Sequence, residues 1–414
     1  MLAVVHHAPL HIVHDGLFVP PESNGSRIQP SAEIQLLGPD TGPGNDPGAV
    51  AASVRFTLLD GAKVLATDTS EASVTRGGAS VVVAGELSPT QTLALWSTRS
   101  PKMYTVRAEV LSSAGEVVDV LEVAAGFRTA QWRAGGIALN GHTVKLRGFS
   151  HHNSIGGLGV AIPERVNLFR VQASRALGAN IWRQSHNPYA PHLYTLLDLL
   201  GTMCWDENRD YGAKYMGGAY ALAMRDMVKR DRTHPSIVVW SFCNEYECGQ
   251  IDQGYSAAAF RSAALSVDAT RPLTANHVGD SVLSRSLDVQ GFSHKSNDSF
   301  ANFHGANPHT PAVLSECCSC TADGNQRVGS RGLPSCIAQQ NSPALLPYVS
   351  GSLGVWTLMD YFGEPHGTGT GAWPYVRRAA TPRLPRPVWT LASHPTWTLA
   401  SHPTWTLASH PTWT

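Results

Sequence analysis

Charge is the scarcest ingredient of this 414-residue chain: Asp, Glu, Lys and Arg make up 15% of it, and 31 basic residues offset 31 acidic ones. A typical soluble protein carries about a quarter. A formal net charge of zero excludes electrostatic capture of nucleic acid or of an anionic membrane as the main task. Long apolar runs are missing too. Although 43% of the residues are hydrophobic, no stretch approaches the ~18 consecutive apolar residues of a spanning helix. The start, Met1-Leu-Ala-Val-Val, has no basic region, long apolar region or cleavage site. No signal peptide is read there, which leaves the compartment open with the cytoplasm as default. Cysteine is sparse and odd in number, at seven. Cys317 and Cys320 have C-x-x-C spacing, but no second such pair completes a zinc site. The cluster reads as reduced thiols around a buried strand end.

Glycine (38) and proline (27) are plentiful, which suits a loop-rich globular chain containing strands. At roughly 100–200 residues per domain, the length allows two to four domains. Residues 1–128 alternate short apolar stretches with turn signals. Ala32–Leu37, Val54–Leu59, Val81–Val83, Tyr104–Leu111 and Val117–Val123 are separated by segments such as Gly38-Pro-Asp-Thr-Gly-Pro-Gly and Asp60-Gly61. Tyr104-Thr-Val-Arg-Ala-Glu-Val has the period of two expected for a half-buried antiparallel strand. About seven such strands indicate a small β-sandwich.

From about residue 144 the rhythm changes to strand–helix alternation, and the barrel domain is placed at residues 129–376. Strands are expected at Val144–Phe149, Asn180–Arg183, Met203–Glu207, Ile237–Phe242, Leu273–Asn276, Leu287–Phe292, Ala312–Ser315 and Leu353–Met359. Helices are expected after Pro163-Glu164, through Leu193–Leu200, over Ala219–Arg232 and over Ala257–Val267. Eight such repeats fit a (β/α)8 TIM barrel. A helix after the eighth strand is doubtful. Residues 377–414 are different again: the octad Trp389-Thr-Leu-Ala-Ser-His-Pro-Thr recurs at Trp397 and Trp405. Each unit is too short to form a core layer and carries a helix-breaking proline. This tail reads as disordered low-complexity sequence or as a reading-frame artefact.

In a barrel of this kind the chemistry lies at the C-terminal ends of the strands. Two carboxylates stand out there, Glu245 after Ile237–Cys243 and Glu316 after Ala312–Ser315. A carboxylate pair on one face is what glycoside hydrolysis uses: one protonates the leaving oxygen and the other attacks the anomeric carbon. The alternative is that one or both are structural ion-pair partners of Arg147 or Arg183. Asp206 closes the third strand run, and Glu247 reads as a loop charge.

Several stretches together resemble the family 2 glycoside hydrolases, which include β-galactosidases, β-glucuronidases and β-mannosidases. They are Leu95-Trp-Ser-Thr-Arg-Ser-Pro-Lys-Met-Tyr-Thr-Val, Gly126-Phe-Arg-Thr, Leu139-Asn-Gly-His-Thr-Val-Lys-Leu-Arg-Gly, Arg183-Gln-Ser-His-Asn-Pro and, most specific, Asp231-Arg-Thr-His-Pro-Ser-Ile-Val-Val-Trp-Ser-Phe-Cys-Asn-Glu. The resemblance covers about residues 92–376 and identifies the sandwich as immunoglobulin-like. It implies that Glu245 is the general acid/base, that Glu316 is the nucleophile, and that Asn244 binds the sugar 2-hydroxyl. Arg183, His186, Asp206 and Trp356 would line the sugar site. Asp360-Tyr-Phe-Gly-Glu-Pro and Trp373-Pro374 resemble members assigned as β-galactosidases, and the Asn-x-Lys motif of the glucuronidases is absent. The expected activity is therefore a retaining exo-β-glycosidase acting on terminal β-D-galactosides. Another neutral hexose such as mannose, or a catalytically inactive carbohydrate-binding remnant, is the alternative. The family's N-terminal jelly-roll domain has no counterpart in the sequence. Tyr211 stands near where some members place a Mg2+-binding His, so no cofactor or metal is expected. The expected partner is a carbohydrate, with a homo-oligomer compatible.

Overall fold

The computed structural model describes residues 7–38, 48–155, 158–208, 218–245, 248, 257–277, 283–318 and 337–359. The octad tail, Tyr211, Glu247, Cys320, Cys336, Asp360, Glu364 and Trp373 lie outside the described residues.

The first seven strands are β1 (Leu10–Phe18), β2 (Ser31–Leu36), β3 (Ala49–Asp60), β4 (Lys63–Thr75), β5 (Val81–Ala84), β6 (Tyr104–Ser112) and β7 (Val117–Ala125). They form two antiparallel sheets, in the orders β1-β2-β5 and β4-β3-β6-β7. Burial alternates along β2 and β6 as their period-two sequences require. Val54, Phe56, Leu58, Val106, Ala108 and Val110 of the larger sheet and Ile12, Ile34, Leu36 and Val83 of the smaller one form one apolar core. The sandwich expected from the turn spacing is present.

A three-stranded antiparallel sheet follows: β8 (Ala130–Arg133), β9 (Gly136–Leu139) and β10 (His142–Val144). It lies across the base of the next unit. Ile137 and Leu139 join Leu146, Ile181, Met203, Trp205, Val239, Val313 and Leu353 in a single cluster. Trp96, fully buried, belongs to the same cluster and donates its indole N–H to the Asp198 carbonyl at 2.8 Å. Arg128 locks the junction. It is 1% exposed, pairs with Glu22, and donates to the Pro235 and Ile237 carbonyls at 3.1 and 2.6 Å.

Eight parallel strands then close a barrel in sequence order: β11 (Leu146–His152), β12 (Ile181–Ser185), β13 (Met203–Glu207), β14 (Ile237–Asn244), β15 (Leu273–His277), β16 (Gln290–Ser293), β17 (Ala312–Glu316) and β18 (Val349–Val355). Every residue of β14 is buried, as expected for a strand covered on both faces. The helices α1 (Glu164–Ala176), α2 (Pro191–Leu200), α3 (Gly218–Asp231), α4 (Ala257–Leu265) and α5 (Asn297–Ala306) lie between successive strands. Pro191 opens α2 and Gly201 ends it in the left-handed conformation.

Two strands differ from expectation. The sixth starts at Gln290 rather than Leu287, because a 3-10 turn at Ser284–Ser286 takes up the approach. The eighth runs from Val349 to Val355 rather than from Leu353 to Met359. Its Ser-Gly-Ser core carries no apolar signal, yet closure of the barrel needs it. At Gly351 (φ 128°) an added Cβ would lie 2.2 Å from the Leu146 carbonyl oxygen, so only glycine lets β18 approach β11 here. No described helix is long and apolar enough to cross a membrane.

Candidate active site

Parallel strands that end at one rim deliver their last side chains to a common mouth. Arg183 on β12 is fully buried there and organises the polar groups around it. Its guanidinium donates to Glu316 Oε2 on β17 (2.7 Å), to both Glu207 oxygens on β13 (2.8 and 3.1 Å), to Asn244 Oδ1 on β14 (2.9 Å) and to Ser150 Oγ on β11 (3.2 Å). Five strands are thereby tied to one cation. Burial alone would make Arg183 harder to protonate, but Glu207 and then Glu316 outweigh it and hold its proton more tightly than usual. Arg147, the other partner considered for the carboxylates, is exposed on β11.

Glu207 is fully buried and heavily bonded: it also accepts from Trp205 Nε1 (2.8 Å), Ser241 Oγ (3.1 Å) and His186 Nδ1 (2.9 Å). Burial opposes protonation of His186, but the Glu207 hydrogen bond prevails and raises its pKa. The His186 ring stacks on Trp356, with centroids 5.1 Å apart and planes within 4°. Trp356 is half-buried beyond the end of β18 and is not barrel core.

Glu316 is 6% exposed. Burial would raise its pKa. The hydrogen bond from His294 and the charges of Arg183 and His186 reverse that and bring it to about 2. Because its folded pKa is depressed, the stability this group supplies is present above the ordinary carboxylate range. It is lost as pH falls toward about 2. His294 Nε2 lies 3.4 Å from Glu316 Oε1, and the His294 backbone N–H donates to the Glu316 carbonyl at 2.8 Å. Asn276 on β15 donates its amide to Asn244 Oδ1 (2.5 Å) and to Glu316 Oε2 (3.3 Å). Its own Oδ1 accepts from Ser315 Oγ at 2.5 Å.

Glu245 follows β14 with a φ of 40°, in the left-handed region where non-glycine residues are uncommon and cluster at functional sites. Its Oε1 accepts from Ser293 Oγ at 2.6 Å. One oxygen of Glu245, one oxygen of Glu316 and a ring nitrogen of His294 all lie within 4.8 Å of one another. Two carboxylates therefore face each other across a gap the size of a single reacting centre. One is held by cations, and the other touches a neutral hydroxyl.

Of the residues singled out in the sequence, Arg183, His186, Asn244, Glu245, Glu316 and Trp356 converge at this mouth, and Asp206 does not. Strand alternation explains why. Met203 and Trp205 point into the barrel cluster and Glu207 continues that side, whereas Asp206 points outward to α2, where Tyr194 donates to it at 2.9 Å. Burial, then the nearby Asp231 charge, push the Asp206 pKa well above its usual range. Glu207 could have been chosen from this alternation. Asn276, Ser293 and His294 carry no such signal, being uncharged or isolated polar residues at the ends of short strands. The cysteine reading is also corrected. Cys317 pairs with its neighbour Cys318 and Cys243 pairs with Cys248, while Cys204 is free and buried.

A (β/α)8 barrel preceded by a β-sandwich, with two opposed carboxylates at the strand ends, defines the architecture of a glycoside hydrolase. Comparison with known families gives the particular one. Residues 26–128 match the model described as glycosyl hydrolases family 2, and residues 131–325 match its TIM barrel domain. Together these matches span well over half of the sequence, and the chain belongs to glycosyl hydrolases family 2. A beta-galactosidase of Bacteroides ovatus is 34% identical over 162 residues, 36% of this chain and 19% of that protein. A beta-glucuronidase of Paenibacillus borealis is 26% identical over 246 residues, 55% of this chain and 40% of that protein. Among solved structures, a family 2 member from Bacteroides cellulosilyticus superposes with a TM-score of 0.71 at 24% identity, covering 86% of this chain and 47% of that one. The Bacteroides uniformis beta-glucuronidase gives 0.70 at 20% identity, covering 85% and 47%. Likeness at these identities shows the fold. The chain spans about half the length of these solved structures and aligns with less than half of either curated relative.

Proposed function

We propose that this chain hydrolyses terminal non-reducing β-glycosides with retention of configuration, Glu316 acting as nucleophile and Glu245 as general acid/base. The observation that carries the reading is the approach of the two carboxylates to within 4.8 Å. Retaining enzymes hold their carboxyl groups about 5–5.5 Å apart, and inverting ones need ~6.5–9.5 Å to admit a water.

The division of roles follows from the surroundings. Arg183 and Asn276 donate to Glu316 Oε2, and Oε1, which faces His294 at 3.4 Å, is the oxygen that attacks the anomeric carbon. Glu245 protonates the departing glycosidic oxygen as that bond breaks, and a glycosyl ester forms on Glu316. Glu245 then takes a proton from water, which displaces Glu316 and releases the sugar. Arg183 and Asn276 both donate to Asn244 Oδ1. The Asn244 amide nitrogen is therefore the atom that reaches the sugar 2-hydroxyl, a contact that strengthens in the transition state. Trp356, steadied by His186, offers an aromatic face to the ring.

A neutral hexose, galactose first, is the favoured sugar. Support comes from the eighth-strand loop sequence, the missing Asn-x-Lys motif and a relative named beta-galactosidase. Relatives named beta-glucuronidase make a β-glucuronide the comparison substrate. The test is hydrolysis of chromogenic β-galactoside and β-glucuronide by the full chain and by Glu316→Gln. The expected outcome is preference for the galactoside and a loss of about 10^4-fold or more in kcat in the variant. Equal rates for both proteins remove Glu316 as nucleophile. Galactose binding without any turnover supports the carbohydrate-binding alternative.

A further inference from the structure

Among the described residues four of the five cysteines are paired, and each pair adjoins one of the two carboxylates. Cys243–Cys248 closes a short loop that contains Asn244 and Glu245. Cys317–Cys318 follows directly on Glu316. The backbone at the second pair is fully committed. The Cys317 N–H donates to the Gly354 carbonyl (2.7 Å), and the Trp356 N–H donates to the Cys317 carbonyl (3.0 Å). The Cys318 N–H donates to Gln340 Oε1 (3.0 Å). The residue after the nucleophile is thus the peg on which the end of β18 and Trp356 hang.

We propose that the two disulfides are positioning elements of the active site, Cys317–Cys318 for Glu316 and Trp356, and Cys243–Cys248 for Asn244 and Glu245. The inference rests on the reading of Glu245 and Glu316 as the reacting pair. Its physical basis is conformational. Glu245 (φ 40°) and Cys318 (φ 65°) both occupy the left-handed region, which is unfavourable for a non-glycine residue and persists only where the surroundings over-determine it. Covalent closure next to each residue supplies that constraint. Displacing a reacting group by ~1 Å can cost ~10^2-fold in rate, so a small backbone relaxation would be felt in turnover before it was felt in the fold. All four cysteines are buried, at 0–1% exposure. Such pairs also persist best where glutathione does not keep thiols reduced.

The experiment uses the full chain. Alkylation without reductant followed by peptide mapping is expected to find both linkages. The double variants Cys317→Ser/Cys318→Ser and Cys243→Ser/Cys248→Ser are assayed on the chromogenic glycoside that the wild type turns over. The expected result is a fall in kcat of about 10–100-fold with KM changed less than ~3-fold and a cooperative thermal transition retained. Should either variant fail to fold, wild type with dithiothreitol serves in its place. Dithiothreitol supplies two electrons and two protons, each S–S bond becomes two thiols, and the reagent leaves as its cyclic disulfide. Loss of rate ahead of loss of near-ultraviolet dichroism supports the proposal, and simultaneous loss overturns it. Four freely alkylated thiols, or full kcat in both variants, also overturn it. A wild type silent on every glycoside overturns the catalytic reading and this proposal with it. An active wild type with indifferent variants overturns this proposal alone.

Discussion

The sandwich and the barrel treat charge in opposite ways. On the sandwich surface, ion pairs stay in solvent: the Arg107–Glu122 side chains are 41% and 45% exposed, and those of Arg27–Glu86 59% and 47%. Its core cluster is built from apolar side chains such as Val54, Phe56 and Val106. In the barrel mouth, Arg183 and Glu207 are both fully buried and Glu316 nearly so. Exposed pairs contribute little to stability, whereas dry ones carry a desolvation penalty that only dense hydrogen bonding offsets. Dry pairs also occur away from the mouth, as at Arg271–Asp268, so what sets the mouth apart is the convergence of two carboxylates on one cation at the strand ends.

The contrast can be broken most severely at Arg183. Replacing it by Met leaves Glu207 and Glu316 buried without their cation, and urea denaturation at neutral pH should show a loss of about 3–5 kcal/mol, with turnover lost as well. A change of less than ~1 kcal/mol would mean that water already shares the site. Asp206 gives a subtler probe, because it is buried outside the mouth with its pKa raised by burial and by Asp231. A raised folded pKa means its contribution is complete below the ordinary carboxylate value and is lost as pH rises through the folded value. Asp206→Asn cannot titrate. Its stability relative to wild type should rise as denaturation is repeated from pH 4 to pH 8, and a constant difference would contradict the assignment. The smallest effect belongs to the sandwich surface: Arg107→Ala should shift stability by less than ~1 kcal/mol, should do so less in high salt, and should leave kcat unchanged.

Much of this arrangement was legible in the sequence, for reasons that differ by element. Ile237–Cys243 and Ala312–Leu314 are apolar runs broken only at Ser241, so a carboxylate two residues beyond each had to lie at a strand end. That is why Glu245 and Glu316 could be named. The eighth strand was misplaced by four residues because Val349-Ser-Gly-Ser reads as a turn until Gly351 is seen to accommodate Leu146. Choosing Asp206 over Glu207 was an error of strand parity, which is resolved by Met203 and Trp205 joining one core cluster and Cys204 another. Asn276, Ser293, His294 and the disulfides depend on which strand ends meet in space, and no local pattern encodes that.

The central claim is that Glu245 and Glu316 act on opposite sides of one anomeric carbon in a double displacement. Proton NMR of the sugar first released from a β-galactoside, followed before mutarotation, tests it most directly. The account predicts the β-anomer as the initial product, converting to α only later. Initial α-anomer would require a single inverting displacement, which carboxylates within 4.8 Å leave no room for, and would contradict the assignment of Glu316 as nucleophile.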